Sequence, residues 1–390
     1  MPDNKLILAG ILAFATGMYF FLSGAHSRLP VGPSLSDLIN MTGRELEAVR
    51  DMSDSFGLVG YSDLIVIPDI HGDSENFIRC IWIALSEVNK LSIGIEDLEG
   101  LILLAAVRGE YPEVPLLPSN HRSAMIQMGD IVDRGPDSVL CLRILWVIEK
   151  VVGWRVVSLI GNHEVMSSTG IPPEYIHKRD LSEFRSLRKR YEQFSPGRPL
   201  WDKLMEKSLI GAKFFSDPSP LKNTLFVHAG IDPVFLYERH HPSILEINKN
   251  SLTALSNESE KVLLNEWLSN EKSPVWTRIF GDRAYDEDEE SILCEEILPP
   301  ILKHMGVSRI VVGHTPQRDH LMKSRCGSRI ILTDCAVSRW LYMDLGQPGI
   351  LVLSNGEGDD WAKIQAIHFD VASKNLIKSN LLDHVSNFTD

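Results

Sequence analysis

No two of the five cysteines, Cys80, Cys141, Cys294, Cys326 and Cys335, stand as a CxxC pair, which removes a zinc-finger reading of this 390-residue chain. Five scattered cysteines are also too few for a disulfide framework at this size, and an odd count leaves at least one thiol unpaired. Cys80, Cys141 and Cys335 lie in apolar runs and read as core packing. There is no surplus of positive charge: the net charge is −13, against a protein whose surface lives on nucleic acid. No period of 20–50 residues repeats, so solenoids and propellers are set aside. No Cys-x5-Arg signature occurs, and aromatic residues, 8% of the chain, do not gather near any one loop.

What the chain does have is ordinary globular composition and length enough for a full-sized core. It also carries an apolar run, Leu6 to Ser23, without a charge. That run is just long enough to cross a bilayer and longer than a usual signal-peptide core, yet Ser23-Gly24-Ala25 offers the small residues of a cleavage site. Residues 1–25 are therefore expected to be a membrane anchor or a signal segment, placing the protein at a membrane or in the secretory pathway, with a mitochondrial address as the alternative. Residues 26–60 read as a tether and lead-in with a polar helical stretch from Ser36 to Ser53. Residues 61–372 read as the catalytic domain and 373–390 as a tail. Asn40, Asn257 and Asn387 begin glycosylation triplets that a lumenal body would expose.

From Leu64 onward one pattern recurs: a short apolar, β-branched run followed by a loop carrying Asp, His or Asn. The runs are Leu64–Ile67, Ala124–Met128, Val156–Ile160, Leu225–Val227 and Ile310–Val312. Such runs fit buried strands, and Phe77–Val88 and Ser138–Val151 fit the helices between them. Ligands in α/β folds collect beyond the carboxyl ends of strands. Five metal-type loops at five strand ends thus point to one place. Arg329–Thr333, Ile350–Leu353 and Ala362–Phe369 read as closing strands of a second sheet. The Pro- and charge-rich excursions Leu91–Arg122 and Ile171–Leu221 are expected to supply substrate-contacting surface.

The loops read Pro68-Asp69-Ile70-His71-Gly72-Asp73, Gly129-Asp130-Ile131-Val132-Asp133-Arg134-Gly135, Gly161-Asn162-His163-Glu164, Val227-His228-Ala229-Gly230 and Val312-Gly313-His314-Thr315. In this order they resemble the phosphoprotein-phosphatase branch of the calcineurin-like metallophosphoesterases, from about Leu64 to Ser338. Gly161 to Met166, Pro274 to Arg278 and Thr333 to Ser338 bring the chain closer to the Shewanella-like protein phosphatases. Pro68 is a departure, since the first loop of that family normally opens with Gly. A proline there removes a backbone donor and fixes φ.

The resemblance implies an α/β fold of two central β-sheets packed as a sandwich and flanked by helices. It implies that Asp69 and His71 hold one metal, that Asp130 bridges, and that Asn162, His228 and His314 hold the second. It further implies that His163 is the general acid, that Asp133 positions it, and that Arg134 and Arg278 grip the phosphate. The chemistry agrees. Phosphate monoesters hydrolyse very slowly, and two closely spaced cations supply an activated water and absorb charge. Mixed carboxylate, imidazole and amide ligands suit Mn, Fe or Zn. The expected activity is a dimetal-dependent phosphoric monoester hydrolase acting on phosphorylated proteins at serine, threonine or tyrosine, with no nucleic-acid partner and no regulatory subunit legible. Alternatives are a dinucleoside-polyphosphate or RNA-cap hydrolase and a membrane-tethered binding pseudophosphatase. Asp334 either lines the site or bonds neighbouring backbone. Asp286 to Glu290 reads as a solvated helix start, and His177, His240, His241 and His320 as surface histidines.

Overall fold

The computed structural model describes residues 61–170, 172–206, 208–214, 224–257, 259–281, 287–342, 345–354 and 363–382. The expected anchor, the lead-in and the triplets at Asn40 and Asn387 lie outside these residues. Among the described residues no helix is long and apolar enough to cross a membrane.

Among the described residues twelve strands form two sheets. The seven-stranded sheet runs β12-β11-β10-β1-β2-β3-β4 and the five-stranded sheet β5-β6-β7-β9-β8. In the first, β1 (Asp63–Ile67), β2 (Ser123–Gln127), β3 (Arg155–Leu159) and β4 (Ser208–Leu209) are parallel. Strands β10 (Gly349–Ser354), β11 (Lys363–Asp370) and β12 (Asn375–Asn380) follow antiparallel on the other side of β1. In the second sheet β6 (Thr224–Val227), β7 (Arg309–Val312) and β9 (Ile330–Leu332) are parallel. They are edged by antiparallel β5 (Gly211–Phe214) and β8 (Lys323–Arg325).

The parallel strands are buried on both faces, which is why they read as continuous apolar runs rather than alternating ones. Both sheets contribute to one continuous apolar core, closed by helices such as Ser74–Glu87 and Ser138–Val151. Two expectations need correction. Residues 350–353 pair with β1, and residues 363–369 pair with β10, both in the first sheet and not the second. An apolar run announces a strand but not its partner, and here the chain returns to the free edge of β1. The sheet also continues past residue 372, because β12 pairs in register with β11 from Asp370↔Asn375 to Gln365↔Asn380.

Cys294 and Cys326 form a disulfide, tying the turn after the helix Glu287–Ile292 to the β8–β9 hairpin. Cys80, Cys141 and Cys335 are free and buried, as their apolar surroundings imply. The acidic stretch is only partly a solvated helix start. Asp288 and Glu289 are exposed, but Glu290 accepts from Arg325 Nε at 3.0 and 3.2 Å.

Candidate active site

Six of the parallel strands, β1, β2, β3, β6, β7 and β9, end, in turn, just before Asp69, Asp130, Asn162, His228, His314 and Asp334. Both sheets thus deliver their carboxyl ends to one place. The loops that follow are sharply bent. His71, Asp130, Asp133, Arg134 and His314 all have φ between 47° and 70°, the left-handed region that non-glycine residues rarely enter. Such conformations persist where the surroundings over-determine them, and they collect at functional sites.

Glycines let these loops touch. A Cβ on Gly161 would lie 2.1 Å from Asp130 Oδ1, and one on Gly313 would lie 2.2 Å from Asp69 Oδ1. Glu164, whose part was not legible beyond its place in the motif, fastens the second loop. Its carboxylate accepts the backbone N–H groups of Asp130, Gly161 and Ile131 at 2.8–2.9 Å and of Val132 at 3.2 Å. Burial, then the Asp130 charge, pushes its pKa up to about 7 despite those donors.

Every expected metal ligand is buried at this junction. Two clusters share Asp130: His71, Asp130 and His163, and Asp130, His228 and His314, with ligand atoms in each within 4.8 Å of one another. Asp130 Oδ2 lies 3.7 Å from His71 Nε2, and Asp130 Oδ1 lies 3.4 Å from His228 Nε2. The Nδ1–H of His228 donates to the Met128 carbonyl at 2.8 Å, which turns Nε2 toward Asn162 Oδ1 at 3.1 Å. The Nε2 of His314 is taken by the Trp276 carbonyl at 3.1 Å, leaving Nδ1 for the cluster. Asp69 Oδ2 accepts the His314 amide at 2.9 Å, while Asp69 Oδ1 and His71 Nδ1 are buried without a partner.

The electrostatics describe a site short of positive charge. Burial, then repulsion from Asp334, raises the Asp69 pKa well above the carboxylate range. Burial alone would raise Asp130 too, but His228, His163 and His71 hold it well below. Burial and His163 push His71 down to about 3, and burial with His228 and Arg278 depresses His314. His228 moves the other way, to about 10, because Asp130 and Asp69 outweigh its burial. Asp334 is raised to about 7, chiefly by burial; its Oδ1 accepts the Ala336 amide at 3.0 Å and its Oδ2 has no partner. It therefore does both things the sequence left open. Three buried carboxylates facing imidazoles with free ring nitrogens are a donor set that divalent or trivalent cations fit.

Beside the clusters, His163 Nδ1 bonds Asp133 Oδ2 at 2.9 Å. Asp133 and Asp130 raise the His163 pKa against its burial. Behind Asp133 lies a network absent from the sequence reading. Arg190, fully buried, reaches Asp133 Oδ1 with one nitrogen, Asp180 Oδ2 at 3.2 Å with a second and Ser167 Oγ at 3.3 Å with a third. Its guanidinium also stacks 4.8 Å from the Phe194 ring centre. Arg134 sits 3.9 Å over the Tyr175 ring, itself 5.5 Å from the His163 ring. Arg278 is exposed, with Nη1 3.3 Å from Thr315 Oγ1.

The profile of calcineurin-like phosphoesterases matches residues 63–318, about two thirds of the sequence. The chain belongs to the calcineurin-like phosphoesterase family. An uncharacterized protein of Schizosaccharomyces pombe is 29% identical over 75% of this chain and 77% of its own length. Shewanella-like protein phosphatase 1 of Plasmodium berghei is 25% identical over 57% of this chain and 59% of that protein. Among solved structures, a cold-active protein tyrosine phosphatase of a psychrophilic Shewanella species superposes with a TM-score of 0.53. It has 19% identity and covers 83% of this chain and 81% of that one, a likeness of fold. This metallophosphoesterase has hydrolase chemistry and the expected two-sheet α/β fold.

Proposed function

We propose that this phosphoesterase is a metal-dependent protein phosphatase that cleaves phosphate monoesters on phosphorylated proteins. The observation that carries the reading is the conjunction at the strand ends. Two His/Asp clusters share one carboxylate, an imidazole is held by its own carboxylate at 2.9 Å, and a guanidinium stands beside it.

In this reading Asp69 and His71 would hold one metal, Asn162, His228 and His314 would hold the other, and Asp130 would contribute to both, its charge offsetting the repulsion of two cations. Mn, Fe or Zn would supply Lewis acidity toward the phosphoryl oxygens and lower the pKa of the attacking water. His163 donates a proton to the departing seryl, threonyl or tyrosyl oxygen. Asp133 fixes which ring nitrogen of His163 carries the outward proton and holds the ring's orientation. Arg134 and Arg278 take the phosphate oxygens, a shape the planar guanidinium matches. The similarity to a Shewanella-like protein phosphatase favours phosphoproteins over nucleotides.

The apolar run Leu6–Ser23 is proposed to anchor or export the catalytic body. The Cys294–Cys326 bridge supports that, since disulfides persist in oxidising compartments. The test of the activity is phosphate release from phosphoserine, phosphothreonine and phosphotyrosine peptides and from diadenosine tetraphosphate, with Mn²⁺ and with chelator. Metal-dependent turnover of phosphopeptides, lost in His163→Asn, supports the reading; turnover of the dinucleotide alone moves the assignment to nucleotides.

A further inference from the structure

Just past Arg134 the surface opens into a cavity of about 300 Å³, lined by Arg134, Glu174, Ile176, His177, Lys178 and Trp340. Its size is at the lower end of small-ligand sites. Its lining is rich in hydrogen-bond donors, and two of them have no acceptor. Arg134 Nε and Trp340 Nε1 are both buried and both lack a partner among the described residues. Native proteins leave few buried donors unpaired, so two at one cavity call for an acceptor from outside. A third donor follows from the tautomer of His177. Its Nδ1 accepts the Arg179 amide at 3.1 Å, so the neutral ring carries its proton on Nε2. The Lys178 ammonium adds a charge, and a single carboxylate, Glu174, stands against these donors.

The walls are held firmly. The segment bearing Trp340 is pinned by Arg339, which forks onto Asp73 at 2.8 and 2.9 Å and reaches Glu75 at 2.6 Å. Ser338 Oγ donates to the His71 carbonyl and accepts the Trp340 amide. The Trp340 and His177 rings lie 4.8 Å apart. On the other side, the Arg134 amide donates to the Tyr175 carbonyl at 2.7 Å. The cavity is thus built from the loops that carry the site, and Arg134 is common to both.

We propose that this cavity is a specificity subsite for a carboxylate side chain, Asp or Glu, adjacent to the phosphorylated residue of the substrate. Trp340, His177 and Lys178 bind that carboxylate while Arg134 orients the phosphate beside it. The inference rests on the protein-phosphatase reading above and names a feature of its substrate. Nothing covalent is involved; Trp340 and Lys178 are specificity residues and touch neither the metals nor the scissile bond.

The test uses the full-length protein with Mn²⁺ and phosphopeptides that differ only at the positions flanking the phosphoresidue, carrying Glu, Ala or Lys. A small synthetic phosphomonoester is run alongside. Charge-assisted hydrogen bonds of this kind predict a KM for the Glu peptide about tenfold below that for Ala, with Lys worse than either. Trp340→Phe, which keeps the ring and removes the N–H, and Lys178→Ala each shrink the Glu-to-Ala ratio toward one and leave the small ester unaffected. Ala peptides hydrolysed with no advantage for Glu, or an advantage intact in both variants, overturn the subsite and leave the phosphatase reading standing. Turnover of the small ester without any phosphopeptide overturns that reading and the subsite with it.

Discussion

Arg190 is the single cation in a buried triad, and its removal tests whether the network behind His163 matters. Its side chain and those of Asp133 and Asp180 are all 0% exposed. Arg190→Met keeps much of the apolar stem but leaves two carboxylates facing each other without water. Breaking a buried ion pair from one side costs about 3–5 kcal/mol, a large fraction of typical stability. Asp180 sets part of the scale: burial raises its pKa to about 6 even with Arg190 opposing, so without Arg190 it takes up a proton near neutral pH. At roughly 1.2 °C per kcal/mol for a chain of this size, the thermal midpoint falls by about 4 °C or more. Adding Asp180→Asn to Arg190→Met removes one stranded charge and returns part of the loss, a coupling that a double-mutant cycle reads directly. A midpoint shift below about 2 °C, or no recovery with Asp180→Asn, refutes the view that this triad is held by charge.

Three further outcomes follow. Asp133→Asn removes a charge that raises the His163 pKa, so the alkaline limb of kcat/KM, where the protonated acid is lost, moves to lower pH; an unmoved limb means Asp133 does not act through His163. Gly313→Ala would place a Cβ 2.2 Å from Asp69 Oδ1, so it displaces that ligand. Activity is expected to fall on the order of a hundredfold with reduced metal content and an unchanged circular-dichroism spectrum; near-parent activity contradicts the placement of Asp69. His368, fully buried, is held neutral with a pKa of about 4, chiefly by burial. Its folded pKa lies below the unfolded one, so its contribution is full above about pH 6.5 and is lost as pH falls toward 4. Denaturant titrations should show His368→Gln less sensitive than the parent over that window; equal pH dependence would exclude the effect.

The strand ends were legible in the sequence because burial on both faces leaves an uninterrupted apolar run, and because the loops after them hold residues that only a polar junction accommodates. Five such loops named five strands and nine site residues, and the structure gathers the loops at one junction. What was not legible is pairing and long-range charge. Val352 carries no mark that its partner is Ile65 rather than a strand of the other sheet. Arg190 sits in a run of charged residues, Arg188-Lys189-Arg190, that reads as a solvated face until the fold turns it inward onto Asp133. Short or polar strands, β4, β5, β8 and β12, lacked the apolar signal because they lie at edges or span only two to six residues. Trp340 and His177 are far apart in sequence and meet only because Arg339 pins its segment against Asp73.

The central claim is that one carboxylate, Asp130, joins two metals in a phosphomonoesterase. Metal stoichiometry of the purified full-length protein tests it most directly, measured by elemental analysis beside phosphate release, for the parent and for Asp130→Asn. The account predicts about two metal ions per active parent chain, and in Asp130→Asn a joint loss of metal and of turnover, because both sites share that side chain. Full turnover by a parent chain with fewer than about one metal, or an Asp130→Asn variant that keeps both metals and activity, would contradict it.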